Sequence, residues 1–320
     1  MIFNILNRKL CTGLYIGDKQ IVACQLAKSR KGFSLQKILF FEIEQEIIDR
    51  RRIIREHDRL SYIINKQFSD NNFNPKKAAL TLGGFFVSFK KVLIENASNA
   101  DLKKRIFSEA QKHIPFDLEE IYLDFQLLET SNNKRKAKEA LIVAAKKDIV
   151  DSYLLLFKKL SVKPTVIDVD IFALYNAYIL NYGISNDTIL LMDINYKRTL
   201  FIVIKRKVPL CLLEIPAEYP NNADDEFEDK IKRWHLKIEN AVELFYSEYP
   251  REKIDKAVLN GECAKLESIK EFAENIANNI CLFDPFKRID INRNLFGYSS
   301  IKKAAPYAGI CIGVASRGFY

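Results

Sequence analysis

The feature that most restricts how this chain can fold is a pattern that occurs twice, half a chain apart. In the first copy, Leu14–Ile16 leads through Gly17-Asp18-Lys19 into the apolar run Ile21–Ala27, and a Lys31-Gly32 turn leads on to Phe33–Ile43. In the second, Ile189–Ile194 leads through the turn Asn195–Arg198 into Thr199–Ile204, and Lys205–Lys207 leads on to Val208–Ile215. Short apolar runs separated by polar turns, glycine-bearing in the first copy, predict hairpin-connected strands. Stretches with helical spacing lie between and after them, at Ile47–Phe68, Ile171–Leu180, Glu228–Tyr249, Leu266–Asn278 and around Tyr307–Gly318. A repeated strand-rich unit followed by helices implies a duplicated α/β fold whose halves face a cleft.

Between the copies the pattern changes. Phe85–Ile94 reads as a strand, and Ser98 with Asp101 resembles a capping box. A helix follows, carrying Leu102, Ile106 and Ala110 on one face until Pro115 ends it. Ile121, Leu123, Phe125 and Leu127 alternate with Tyr122, Asp124 and Gln126, a half-buried strand. After a basic turn at Asn132–Lys138, Leu141–Ala145 reads as a buried strand, and Asp148 opens a helix to about Leu160. The expected organisation is a first domain split between 1–84 and 164–185, a small α+β subdomain at 85–163, and a second domain at 186–320 whose last helix returns towards the first.

Composition excludes several classes. With 48% hydrophobic and 28% charged residues, 11 Gly and 9 Pro, the chain is neither disordered nor fibrous. No apolar run approaches the ~18 residues of a membrane span. The six cysteines form no C-x-x-C pair, and most read as small core residues in a reducing compartment. The net charge of +9 suits an anionic surface, although a diffuse excess mostly serves solvation; the Arg50-Arg51-Arg52 run reads as a wet helix face.

Catalytic motifs are missing. There is neither a G-x-x-x-x-G-K-[ST] loop nor a G-x-G-x-x-G after a strand, and no G-x-S-x-G elbow. His57, His113 and His235 lie far apart with no partner at metal-ligand spacing, and His113 fits the last turn of a helix. The acidic run Asp224–Asp229 lacks the glycine of a calcium loop and fits a helix N-terminus.

Two hairpin-led halves facing a cleft resemble the actin-like ATPase folds, in which two RNase H-like domains are duplicated. Particular stretches resemble one family, the type IV pilus assembly proteins PilM. Ile114–Gln126 (IPFDLEEIYLDFQ) is similar to that family's IPF-x-LEE-x-x-x-DFQ stretch. Leu141–Ser152 (LIVAAKKDIVDS), Val166–Leu174 (VIDVDIFAL) and Ala305–Arg317 (APYAGICIGVASR) resemble further family segments in the same order. The resemblance implies an actin-like fold of the FtsA/PilM type with a subdomain inserted in the first domain.

It also implies a nucleotide site for ATP and Mg2+, in which loop amides cradle phosphate and carboxylates lie near the cation. Its positions here are Gly17, Asp18, Lys19, Asp193, Asn195, Gly261 and Ala264, and the motif is degenerate. The family's D-I-G-S-S reads Tyr15-Ile16-Gly17-Asp18-Lys19, and its D-I-G reads Asp193-Ile194-Asn195. G-G-G-A reads Gly261-Glu262-Cys263-Ala264, and Pro216–Asp229 replaces a longer segment beside the base. These losses predict a pseudo-ATPase with no cofactor and no enzymatic activity; the alternative is that Asp18 or Asp193 meets a cation in another geometry.

The resemblance further implies a partner, the cytoplasmic N-terminal tail of a PilN-like single-span membrane protein, received in a groove between the inserted module and the first domain. Ile114, Pro115, Phe116, Leu118, Glu119, Ile121 and Phe125 are its candidate contacts; Ile114-Pro115-Phe116 equally reads as a helix stop packed in the core. The leading expectation is a cytoplasmic, non-catalytic scaffold of a pilus or secretion platform, peripheral to the inner membrane through its partner. The alternatives are a nucleotide-regulated actin-like protein of the same machinery, a GspL-like type II secretion component, or a nucleic-acid binder. For the last, the sequence offers no interleaving of aromatics with a basic stripe.

Overall fold

A computed structural model describes residues 10–17, 19–44, 47–48, 53–83, 87–95, 99–128, 137–216, 227–291 and 298–319. Asp18, Arg50-Arg51-Arg52, Phe85, Ser98, most of the basic turn from Asn132 and Asp224–Glu226 lie outside these residues. Along the first part of the chain run β1 (Leu10–Ile16), β2 (Gln20–Ser29), β3 (Gly32–Glu42), α1 (His57–Asp70), β4 (Lys77–Leu82), β5 (Val87–Glu95) and α2 (Asn99–His113). Next come β6 (Ile121–Leu127), β7 (Ala137–Lys146), α3 (Lys147–Lys159), β8 (Lys163–Val169), α4 (Asp170–Tyr182), β9 (Ile189–Ile194), β10 (Thr199–Lys205) and β11 (Val208–Ile215). The chain continues with α5 (Phe227–Glu248), β12 (Lys256–Asn260), α6 (Glu267–Glu274), β13 (Asn279–Leu282), β14 (Ile289–Ile291) and α7 (Tyr298–Arg317).

The chain divides into two compact units: Met1–Ile43, Gln67–Thr81 and Val162–Tyr320 form one, and Glu44–Lys66 with Leu82–Ser161 the other. The first unit holds two sheets, ordered β14-β3-β2-β1-β4-β8 and β11-β10-β9-β12-β13. The sequence repeat becomes the same strand order twice. In each sheet the central strand (β1 or β9) pairs antiparallel with the hairpin strand after it and parallel with a later strand (β4 or β12). Every residue of β9 is buried, which is why it reads as an unbroken apolar run.

Small residues let α7 lie close to its neighbours. A Cβ on Gly313 of α7 would stand 1.8 Å from the carbonyl oxygen of Ala173 in α4, and one on Gly13 of β1 would stand 2.4 Å from that of Cys311. In the second sheet's core, α5 contributes Trp234, Ile238 and Phe245, and the indole Nε1 of Trp234 donates to Thr199 Oγ1 at 3.0 Å. All six cysteines are free thiols, and Cys24, Cys211, Cys263 and Cys311 are buried.

The second unit contains the three-stranded antiparallel sheet β5-β7-β6. One face packs against α2, where Val92, Ile94, Ile121 and Ile142 meet Ile106, Ala110 and Ile114. The start of α1 is tied to α3: His57 Nε2 lies 2.8 Å from Ser152 Oγ, and Lys159 pairs with Asp58 at 2.6 Å.

Several elements differ from expectation. The helix expected at Ile47–Phe68 begins only at His57, because Ile48 and Ile54 pair across an antiparallel bridge instead. The helix expected to run to Asn278 stops at Glu274, and β13 and β14 follow as short strands that the periodicity did not signal. The final helix starts nine residues before Tyr307, at Tyr298, and carries Pro306 inside it.

Candidate functional site

In the first unit, the turns after β1, β9 and β12 carry the residues that the sequence marks as a degenerate phosphate site. After β1, the Gly17 amide donates to the Gln20 carbonyl at 2.8 Å, and Lys19 is exposed while its own carbonyl accepts from Ile43 N. Tyr15, replacing the expected carboxylate, is a core residue only 5% exposed. Asp18 lies outside the described residues.

At the end of β9, Asp193 is buried and both of its oxygens are occupied. Asn260 Nδ2 donates to Oδ1 and Asn195 Nδ2 to Oδ2, each at 2.7 Å. Burial raises the pKa of this carboxyl; the charge of Arg198 and the two amide donors pull it back down. The Asn195 amide turns inward to the Arg198 carbonyl at 3.0 Å, and its side-chain Oδ1 accepts from Glu262 N at 3.1 Å.

After β12, Gly261 has φ +97° and lies so close to β9 that a Cβ would stand 2.4 Å from Ile194 O. Its glycine is therefore required by packing, whatever the loop binds. Cys263 N donates to Ile194 O at 3.0 Å and Ala264 N to Gly261 O at 3.4 Å. Both side chains are buried, and burial raises the Cys263 thiol pKa. Finally, Gln20 Nε2 donates to Glu262 Oε1 at 2.9 Å, linking the first sheet to the turn of the second.

The structure thus brings Asp193, Asn195, Gly261 and Ala264 together and spends their polar groups on one another. The amides of Gly17, Asn195, Glu262, Cys263 and Ala264, the groups that would cradle phosphate, all donate within the chain. Sequence reasoning missed Asn260 and Gln20. Asn260 is the last residue of β12, in register with Asp193. Aligning the two strands by their apolar runs would have placed the two side by side. Among the described residues, no group of three His, Cys, Asp or Glu side chains is arranged to hold a metal ion.

In the second unit, the candidate partner contacts separate by environment. Ile114 and Ile121 are 6% and 5% exposed and belong to the core against α2, Ile114 just past the end of that helix and Ile121 at the start of β6. Phe116, Leu118 and Phe125 are half-buried and rest on that core, with Lys146 Nζ 5.4 Å above the Phe116 ring. Pro115 and Glu119 are exposed. Asp117 caps a single 3-10 turn, Leu118–Glu120, by accepting from Glu119 N, and Lys147 donates to Glu119 O at 2.7 Å. Among the described residues no helix is long and apolar enough to cross a membrane.

The doubled strand order, with α4 and α7 packed together and three turns converging, is an actin-like ATPase fold. Two solved structures share it. The PilM-PilN type IV pilus biogenesis complex matches at TM-score 0.83 with 16% identity, over 97% of this chain and 98% of that one. A Bacteroides thetaiotaomicron protein with an actin-like ATPase fold and unknown function matches at TM-score 0.51 with 10% identity, over 88% and 94%. The cytoplasmic domain of EpsL, an inner membrane component of the Vibrio cholerae type II secretion system, matches at 0.45 with 10% identity, over 87% and 98%. The family model described as type IV pilus assembly protein PilM matches residues 13–210, and the chain belongs to that family.

Proposed function

We propose that this protein is a non-catalytic scaffold of a type IV pilus inner-membrane assembly platform, holding the cytoplasmic tail of a PilN-like membrane protein. Family membership and the likeness to a PilM-PilN complex support the platform and the partner. The observation that carries the non-catalytic part is the internal pairing of the three turns, above all the two asparagine amides on Asp193. A triphosphate entering there must first break bonds that the chain makes with itself. Each donor or acceptor withheld from it costs about 1–3 kcal/mol of binding, and four or five such losses remove a micromolar affinity of about 8 kcal/mol.

On the partner side, the half-buried Phe116, Leu118 and Phe125 offer apolar surface beside the exposed Pro115 and Glu119, a combination suited to an extended peptide with an apolar side chain and a basic or amide group. The test is a pull-down of the full chain on the immobilised tail of a PilN-like protein. Phe116→Asp and Glu119→Lys should each reduce the yield; Glu119 is exposed, so its variant keeps the fold even if Phe116→Asp does not. Undiminished capture by both variants contradicts the assignment.

A further inference from the structure

Arg198 lies in the turn between β9 and β10, and its side chain is 12% exposed. Nη2 lies 2.5 Å from Asp170 Oδ2 and Nη1 lies 3.2 Å from Glu214 Oε1. Asp170 is the first residue of α4, which follows the last strand of the first sheet, and its side chain is fully buried. Glu214 is on β11, at the edge of the second sheet. The same guanidinium also interacts electrostatically with Asp193 and Tyr15. One side chain therefore gathers carboxylates from the second sheet and from the start of α4, which continues directly from the last strand of the first sheet, around a positive charge that cannot be removed by deprotonation.

We propose that Arg198 is a built-in cation that holds the two sheets of the first unit together in the absence of any nucleotide, so that this unit keeps one fixed form. The inference rests on the reading of the protein as a non-catalytic scaffold and supplies the regulation of that same cleft: there is none by nucleotide. Two features favour a clamp over an ordinary surface ion pair. Asp170 is removed from water, so withdrawing the guanidinium takes a charged donor away from a buried carboxylate. The Gln20–Glu262 bond, amide to carboxylate, forms a second link between the first sheet and the turn of the second.

The test is amide hydrogen exchange on the full chain without nucleotide, comparing the wild type, Arg198→Gln, and Arg198→Gln with Asp170→Asn. The clamp predicts that Arg198→Gln speeds exchange about tenfold at 193–198 and 260–264, while the β2–β3 ladder and β7 keep their protection. In the double variant, removing the buried charge restores the melting temperature, but exchange at those turns stays fast, because the link itself is gone. Unchanged protection in Arg198→Gln overturns the proposal, as does a double variant that regains wild-type protection at the turns. Nucleotide binding by the wild type would contradict the non-catalytic reading and, with it, the absence of nucleotide regulation; the clamp itself is decided by the exchange comparison, which is made without nucleotide.

Discussion

Asn260 donates to Asp193 across the ends of two neighbouring parallel strands, amide to carboxylate, at 2.7 Å. Both residues are buried, so the pair has no water to fall back on. Asn260→Leu leaves a buried carboxylate one donor short and should cost about 2–3 kcal/mol of stability, read from urea denaturation midpoints. Asn260→Asp sets a second carboxyl against the first. Its instability should be largest near neutral pH and shrink as the pH falls and one of the two takes up a proton.

Gly313→Ala tests the packing of α7. A methyl group there meets the Ala173 backbone at 1.8 Å, and a backbone atom cannot swing aside as a side-chain end can. The expected loss is about 3 kcal/mol. Gly32, in the β2–β3 turn, has no atom within 4 Å of a built Cβ, so Gly32→Ala bears only the strain of its positive φ, about 1 kcal/mol. Thermal melts of the two variants should therefore separate clearly.

His235 gives the fold a pH dependence. Its ring stacks on Phe272 with centroids 4.3 Å apart, and Nε2 is buried without a hydrogen-bond partner. Burial lowers its pKa below the ordinary 6.5, opposed by the charge of Glu239 one turn along. The unfolded chain thus takes up the proton more readily than the folded one. The histidine's contribution is intact above about pH 6.5 and is lost as the pH falls through and below it. His235→Phe keeps a stacked ring and removes the titration. Melting temperature against pH between 7 and 5 should fall for the wild type and run flatter for the variant.

How far the sequence reveals this fold depends on which forces its pattern records. β9 and β10 are legible because burial on both faces leaves an unbroken apolar run, and the repeat shows that β1 and β2 belong to the same arrangement. The early part of the helix expected from Ile47 was not legible: isoleucines at 48 and 54 fit a helical period equally well, and only their cross-strand pairing places the helix start at His57. The start of α7 was obscured by Pro306, which usually marks a helix end yet lies inside this one.

At the cleft, the missing glycine at Asn195 and the lost carboxylate at Tyr15 are plain in the sequence, because they are changes of residue type at motif positions. What replaced them is a set of contacts between distant segments. Gln20 meets Glu262 across 242 positions, and Asn260 meets Asp193 across 67, pairings that no local pattern encodes. Gly261 taught the opposite lesson: a glycine at a motif position is retained here for its fit against Ile194.

The most direct test of the account is a thermal-shift titration of the full chain with ATP and Mg2+. A ligand bound only by the folded state adds about 2.7 kcal/mol of stability at about 100 times its Kd, a rise that such a titration registers easily. The closed pairing of the three turns predicts a melting temperature that stays level up to millimolar nucleotide. A saturable rise that requires ATP and Mg2+ together would contradict it.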